Sequence, residues 1–500
     1  MSPRIRRKGA NPAMDRNPTS GDRLLENLPG RGILLLTSLG IVTFLLLLVY
    51  FLRHVPRLTV ANPESAAPNC TLFVSPAGKD ANSGTSTTSP KSLSGAAAVA
   101  RPGSIVCLLG GDYSLNSSFK PRSSGTASSW IVYKNYGDGP VNIIWNGAAD
   151  ASAMFYLGGG SFPSNPAYLE FRGLNLDGRG SAADGFICRG SHHLRFISNS
   201  ISNTGGSGIA SINCDYLTAD HNVVHHNGYM PLTTAVPGDY GWTSGISFNS
   251  AQWFDSYSGF HNIISNNIVA GEYDGSSHHT DGNGIILDLS NGSYDYDSAD
   301  TPPALIINNV VYGNGGRCIV AYVVTNFWIV NNTCYKNNLD PEIKNAGSLT
   351  TNNSKNGRFI NNIAVAWKSD QPPYEQKNPN SDILYYSDLY FGAPNNFVYS
   401  DPSQLIEADL LFVYAPVLDL KLPSQHASVP HPSQIGNGLA LSPSSPAIGR
   451  GIDPTALPKL PKNIITDLRK YVYTDIDGKK RPRGGPFDLG AYQSSKNLSK

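Results

Sequence analysis

Charge is scarce in this chain of 500 residues. Asp, Glu, Lys and Arg together make up 15%, and 38 basic against 37 acidic residues leave a formal net charge of +1. So flat a balance excludes the broad basic footprint that nucleic-acid binding needs. Cysteine is also sparse: Cys70, Cys107, Cys188, Cys214, Cys318 and Cys334 show no CxxC spacing, which argues against a structural zinc site. Long apolar runs are missing with one exception, residues 33–52, which carry no charged side chain.

About twenty such residues span a bilayer core. Arg4, Arg6, Arg7, Lys8, Arg16, Arg23 and Arg31 precede the run, and only Arg53, His54 and Arg57 follow it closely. The positive-inside bias then places the amino terminus in the cytoplasm and the rest outside, as a single-pass signal anchor. A cleaved secretory signal is the competing reading and would make the chain secreted. Either way the cysteines face an oxidising compartment where pairing is permitted. Cys188 and Cys214 are expected to bond or stack on neighbouring rungs, or to serve as small buried apolar residues.

Glycine (50) and proline (35) are plentiful, as suits many short strands joined by turns. Between Leu169 and Trp367 one phrase recurs, with an apolar residue, a polar residue or Asn, Asn, and another apolar residue. Examples are Asp220-His221-Asn222-Val223, Ser265-Asn266-Asn267-Ile268, Ile307-Asn308-Asn309-Val310, Val330-Asn331-Asn332-Thr333 and Ile360-Asn361-Asn362-Ile363. Counted with Ile197 to Ile201, the steps read as one or two units of about 22 residues with insertions, a solenoid period. The runs between are too short for helices and are bounded by residues that tolerate left-handed backbone angles. These features predict an all-β, single-stranded right-handed parallel β-helix, its asparagines stacked as a scaffold ladder. A second phrase, Gly followed by apolar residues, marks another strand of each coil at Gly185, Gly208, Gly245 and Gly284, with Cys318 replacing the glycine.

The expected organisation is a basic cytoplasmic tail (1–32), the transmembrane segment (33–52), a linker (53–69) and one β-helix domain (70–495). That domain divides into a cap (70–129), regular coils (130–367) and irregular coils (368–495). The strings from Phe73 to Gly84 and from Ala100 to Ser114 resemble the amino-terminal cap of secreted β-helix proteins, and Asp475 to Tyr492 resembles their carboxy-terminal segment. Three insertions, Gly228 to Thr243, Gly271 to Thr280 and Asn291 to Pro303, fall in mid-array, where loops of a solenoid build a binding face.

Two strings resemble motifs of the family nine polysaccharide lyases, calcium-dependent enzymes within the pectate-lyase-like superfamily that cleave uronic-acid polymers by β-elimination. Ala183-Asp184-Gly185-Phe186 is similar to the motif whose Asp holds calcium, and Asp281-Gly282-Asn283-Gly284-Ile285-Ile286-Leu287 to a second. The resemblance places the family's catalytic Lys on Ile286, and the family's Asp-Asp-Gly ligand pair has no counterpart. The residues themselves offer other candidates. Arg317 could serve as a perturbed base or bind a sugar carboxylate, as could Arg189. His279 and Asp281 lie in the densest polar cluster, Glu272 to Asp281, and Asp184, Asp281 and Asp288 are the candidate calcium ligands, oxygen donors that suit a hard cation. Tyr240, Trp242, Trp253 and Tyr273 would stack on sugar rings.

These readings lead first to a lyase-like enzyme acting on a uronic-acid-containing polysaccharide, monomeric, anchored through residues 33–52, with calcium as its candidate cofactor. Glycoside hydrolysis by two carboxylates or epimerisation on the same scaffold is the runner-up. A non-catalytic glycan-binding or structural surface protein is the alternative from another class, because fold alone does not decide function.

Overall fold

The computed structural model describes residues 69–148, 153–229, 242–295, 297, 299–344, 346–367, 371–392, 405–407, 409–418 and 429–494. The apolar run 33–52 and Tyr240 lie outside them. Among the described residues no helix is long and apolar enough to cross a membrane.

Three parallel sheets run the length of the molecule. Sheets A and B have eleven strands each and sheet C has eight. A coil such as Leu169–Arg172, Asn175–Asp177 and Phe186–Arg189 contributes one strand to each sheet, and the next coil starts again in sheet A at His192–Ile197. Every named strand pair is parallel, so the coils stack along one axis as a β-helix, right-handed as parallel crossovers are.

The register corrects one detail of the period. Thr218 pairs directly with Ile263, and Ile263 with Leu305. The steps of 45 and 42 residues are therefore single coils carrying long insertions, not two coils. Within Ile197 to Ile201 the rung is Asn199, since the Asn222 carboxamide oxygen accepts from both the backbone N–H and Nδ2 of Asn199.

From there the ladder continues through Asn267, Asn309, Asn332 and Asn362 to Asp388, each rung accepting the same two bonds from the one before. All seven are at most 1% exposed, so the ladder satisfies turn amides that water cannot reach. A second ladder at the exit of sheet B passes through Asn227, Glu272, Asn314 and Asn337. In both ladders the acid sits where an amide would be expected, and burial pushes Glu272 and Asp388 each up to about 8.

The glycine column has a packing cause. A Cβ on Gly208, Gly245 or Gly284 would come within 2.4, 2.5 and 2.2 Å of the γ-carbon of Val224, Val269 and Val311. In the next coil Cys318 replaces the glycine and Cys334 the valine, and the two form a disulfide. Cys70–Cys107 and Cys188–Cys214 are the other two bridges, so all six cysteines are paired.

Inside the coil lies one continuous core, with Phe155, Phe171, Phe186 and Phe196 packed ring against ring. Two further clusters sit outside it. Val429, Ile435, Leu439, Leu489 and Tyr492 cover the outer side of sheet B over Val310, Tyr312 and Ile363. Helix α1 (Lys462–Tyr471) covers sheet A, seating Ile464 and Leu468 over Phe260, Leu305 and Trp328. No such cluster among the described residues includes the outer row of sheet C.

Candidate functional site

Two rows cross that outer side of sheet C. Register aligns Ile187, Ala210, Ser247, Ile286, Val320 and Thr350 in one, and Arg189, Ile212, Asn249, Asp288, Tyr322 and Asn352 in the next. Ile286, where the lyase resemblance expects Lys, is thus centred on the outer row between Ser247 and Val320.

Asp281 precedes the coil's third strand, Asn283–Asp288, with a turn at Gly282 (φ +71°) between them. The turn is pinned by Asp274, fully buried, whose Oδ2 accepts the N–H groups of Thr280 and Asp281, each at 3.2 Å. Asp281 itself accepts from Asn283 Nδ2 at 2.7 Å. Its environment raises it to about 7, through burial first and then the charges of Asp288 and Asp274, with Arg317 opposing. Asp288, at the other end of the strand, takes a hydrogen bond from Asn249 Nδ2 at 2.9 Å, and burial holds it at about 6. Tyr322 pairs with Asp288 on the next coil, and its phenol is raised by burial and by the charges of both Asp288 and Asp281.

Arg317 aligns with Asn283, and its backbone N–H donates to Asn283 Oδ1 at 2.9 Å. Its Nη1 donates to the carbonyl of Thr280 at 3.1 Å, which ties the guanidinium to the turn that carries Asp281. Burial lowers it from the ordinary guanidinium value, while the charges of Glu375 and Asp281 raise it. The arginine is therefore placed as a neighbour and support of Asp281.

One turn further toward sheet B lies a second polar group. His279 (φ +47°) sets its Nδ1 2.9 Å from Oδ2 of Asp340, a carboxylate 1% exposed. The two line a pocket of about 410 Å³ together with Tyr273 and Glu342. Asp340 is the residue that sequence reasoning missed. It lies 61 positions from His279, and the second asparagine ladder carries it there, since Asn337 is a rung and Asp340 N–H donates to Gly315 O.

Other sequence candidates fall elsewhere. Asp184 accepts from Ser207 N–H and is raised to about 6, chiefly by burial. It stands with Arg189 on a coil three removed from that of Asp281, about 14 Å along the axis at the ordinary strand spacing. Asp184, Asp281 and Asp288 consequently cannot enclose one ion, and among the described residues no three His, Cys, Asp or Glu side chains are grouped to hold a metal. The three expected calcium ligands therefore do not form one calcium site. Trp253 packs its ring edge-on against His261, beyond the far edge of sheet C, and not beside His279. Tyr273 reaches the pocket but is 5% exposed with its face against Tyr229, so it is no open stacking surface. Trp242 is 61% exposed and stacked on His278.

The register defines the class, a right-handed parallel β-helix with Asp288 in the outer rows of its third sheet. Among solved structures the chain is similar to pectate lyase Pel9A, with 18% identity over 84% of this chain and 96% of that one, TM-score 0.43. It is also similar to a rhamnogalacturonan lyase (16%, 63% and 87%, 0.37) and to a protein described as a glycoside hydrolase (9%, 67% and 94%, 0.47). At these values the likenesses carry no argument about activity. No family model and no curated protein matches.

Proposed function

We propose that this chain is a carbohydrate-active enzyme that cleaves a polysaccharide laid across the outer side of sheet C, with Asp281 and Asp288 as its acid and base pair. The observation that carries the reading is that these two carboxylates bracket the strand whose outer side no packed cluster among the described residues covers. Asp281 lies two residues before the strand Asn283–Asp288 and Asp288 at its end; burial first raises them to about 7 and about 6, and the charge of Asp288 adds to the rise of Asp281. Of two such carboxyl groups, the one raised further stays protonated and donates to the leaving oxygen, and the other is ionised and serves as the base. Arg317 keeps the Asp281 turn in place, and Tyr322 stands within reach of both charges.

A lyase reading is favoured by a different observation, the buried guanidinium beside Asp281, since a desolvated Arg can take the proton next to a uronate carboxylate. With 33–52 as an anchor, either enzyme would work outside the membrane. Incubating the chain from Cys70 onward with a polysaccharide panel tests both. New reducing ends without near-ultraviolet absorbance, lost in Asp281→Asn, are expected. An unsaturated, absorbing product would favour the lyase, and no product from any polysaccharide would sink both.

A further inference from the structure

We propose that the pocket beside this site binds a sugar residue bearing a protonated amine, takes a neutral sugar less well, and excludes a uronate. The inference rests on the glycan-cleaving reading above and names its substrate class.

The pocket is an acidic container. Of the residues lining its volume of about 410 Å³, Asp340 and Glu342 are carboxylic and none is Lys or Arg. Asp340 is engaged with His279, while Glu342 donates its backbone N–H to Asp340 Oδ1 at 2.9 Å, which fixes the Glu342 backbone at the rim. A sugar carboxylate entering here would meet like charge, whereas an ammonium group would meet a charge-assisted acceptor. The Arg317 guanidinium is turned to Thr280 O and does not line the pocket.

A platform adjoins the pocket. Trp242 lies parallel to His278, a pocket residue, with ring centroids 4.2 Å apart and planes at 20°. Trp242 holds φ at +62°, a left-handed angle that a bulky residue rarely adopts, and remains 61% exposed. An exposed indole at the mouth of a polar pocket suits the apolar face of a sugar ring, and its π cloud attracts a cation. A uronate gains the first contact only.

The test is binding of tetrasaccharides of glucosamine, glucose and galacturonic acid, measured by calorimetry at about pH 6.5 and low salt, where an amine of pKa about 8 is charged. The Asp281→Asn background keeps the probes intact. The expected order is glucosamine, glucose, galacturonic acid, with at least about a tenfold step between the first two. Glu342→Gln should shrink that step and Trp242→Ala should weaken all three probes. Equal affinities, or the galacturonate bound best, would overturn the proposal. If the galacturonate is bound best and is also cleaved by the unsubstituted protein, the enzymatic reading survives and only the substrate class falls. If no probe binds, the pocket proposal falls, and cleavage of the wider panel decides the enzymatic reading separately.

Discussion

His261 shows how much a single side chain can hold in this fold. It is fully buried, with Nδ1 2.7 Å from Asp215 Oδ2 and Nε2 2.7 Å from the carbonyl of Tyr257, and it fastens the loop 251–261 to sheet A. Burial alone would lower its pKa, but the hydrogen bond and charge of Asp215 outweigh it, with Tyr257 O and Asp255 adding to the rise. A histidine raised in the folded state contributes stability below its unfolded value of about 6.5, and that contribution fades as pH climbs through the raised value. His225 and His431 carry the opposite sign. Their Nε2 atoms meet at 3.1 Å, Ser433 N–H donates to His431 Nδ1, and burial first, then neighbouring histidines, lowers His225 to about 3. Their contribution is complete above about pH 6.5 and falls as pH drops below it. Thermal melts should therefore separate the two: His261→Gln loses most against the unsubstituted protein at acid and neutral pH and less at alkaline pH. His431→Gln should narrow the acid-side fall instead. A pH-independent difference for both would refute the assignment. Neither contact was legible beforehand, because each joins residues that repeat phrases do not mark. His261 and Asp215 are 46 positions apart and His225 and His431 are 206.

At the scale of the element the asparagine ladder was legible, because one amide per coil must recur in sequence for its side chains to stack. What the phrase could not reveal was that insertions of very different length leave the rung in place, so that a step of 45 residues is a single coil. An interior rung should be costly to remove. Asn309→Ala strands the N–H and Nδ2 of Asn267 and the carbonyl of Ile264, and should lower stability by roughly 2–5 kcal/mol in denaturant melts. Asp388, the terminal rung, behaves differently. Its folded pKa of about 8 lies above an unfolded value of about 3.9, so the folded state holds a proton that the unfolded state has lost, and stability falls between those pH values. Asp388→Asn should stabilise by a few kcal/mol near pH 8, order of magnitude only, and by little near pH 4. The glycine column offers a third check. Gly284 and Val311 occupy the positions that Cys318 and Cys334 fill one coil later. The double variant Gly284→Cys with Val311→Cys should form a fourth bridge, seen as two thiols that resist alkylation in the denatured, unreduced protein; two alkylated thiols would contradict the register.

For the whole molecule, the arrangement of its coverings decides where chemistry can occur. The segment after Val429 lays its apolar residues on the outer sides of sheets A and B; buried Arg481 braces it internally by donating to the carbonyls of Asp488 and Gly490 and reaches the coils through Asn308 Oδ1. Sheet C keeps its outer rows of Asp288, Tyr322, Asn249 and Arg189. The strings around Asp281 pointed to this side because a repeat predicts which positions share a face. Asp184 and Asp281, though alike in sequence context, sit three coils apart and so do not share one ion. The central claim is that Asp281 and Asp288 form a working pair. Its most direct measurement is the pH profile of polysaccharide cleavage in the unsubstituted protein, Asp281→Asn and Asp288→Asn. The account predicts a bell with limbs near about 6 and about 7, lost with either substitution. A profile that keeps both limbs in Asp281→Asn, or undiminished activity in either variant, would contradict it.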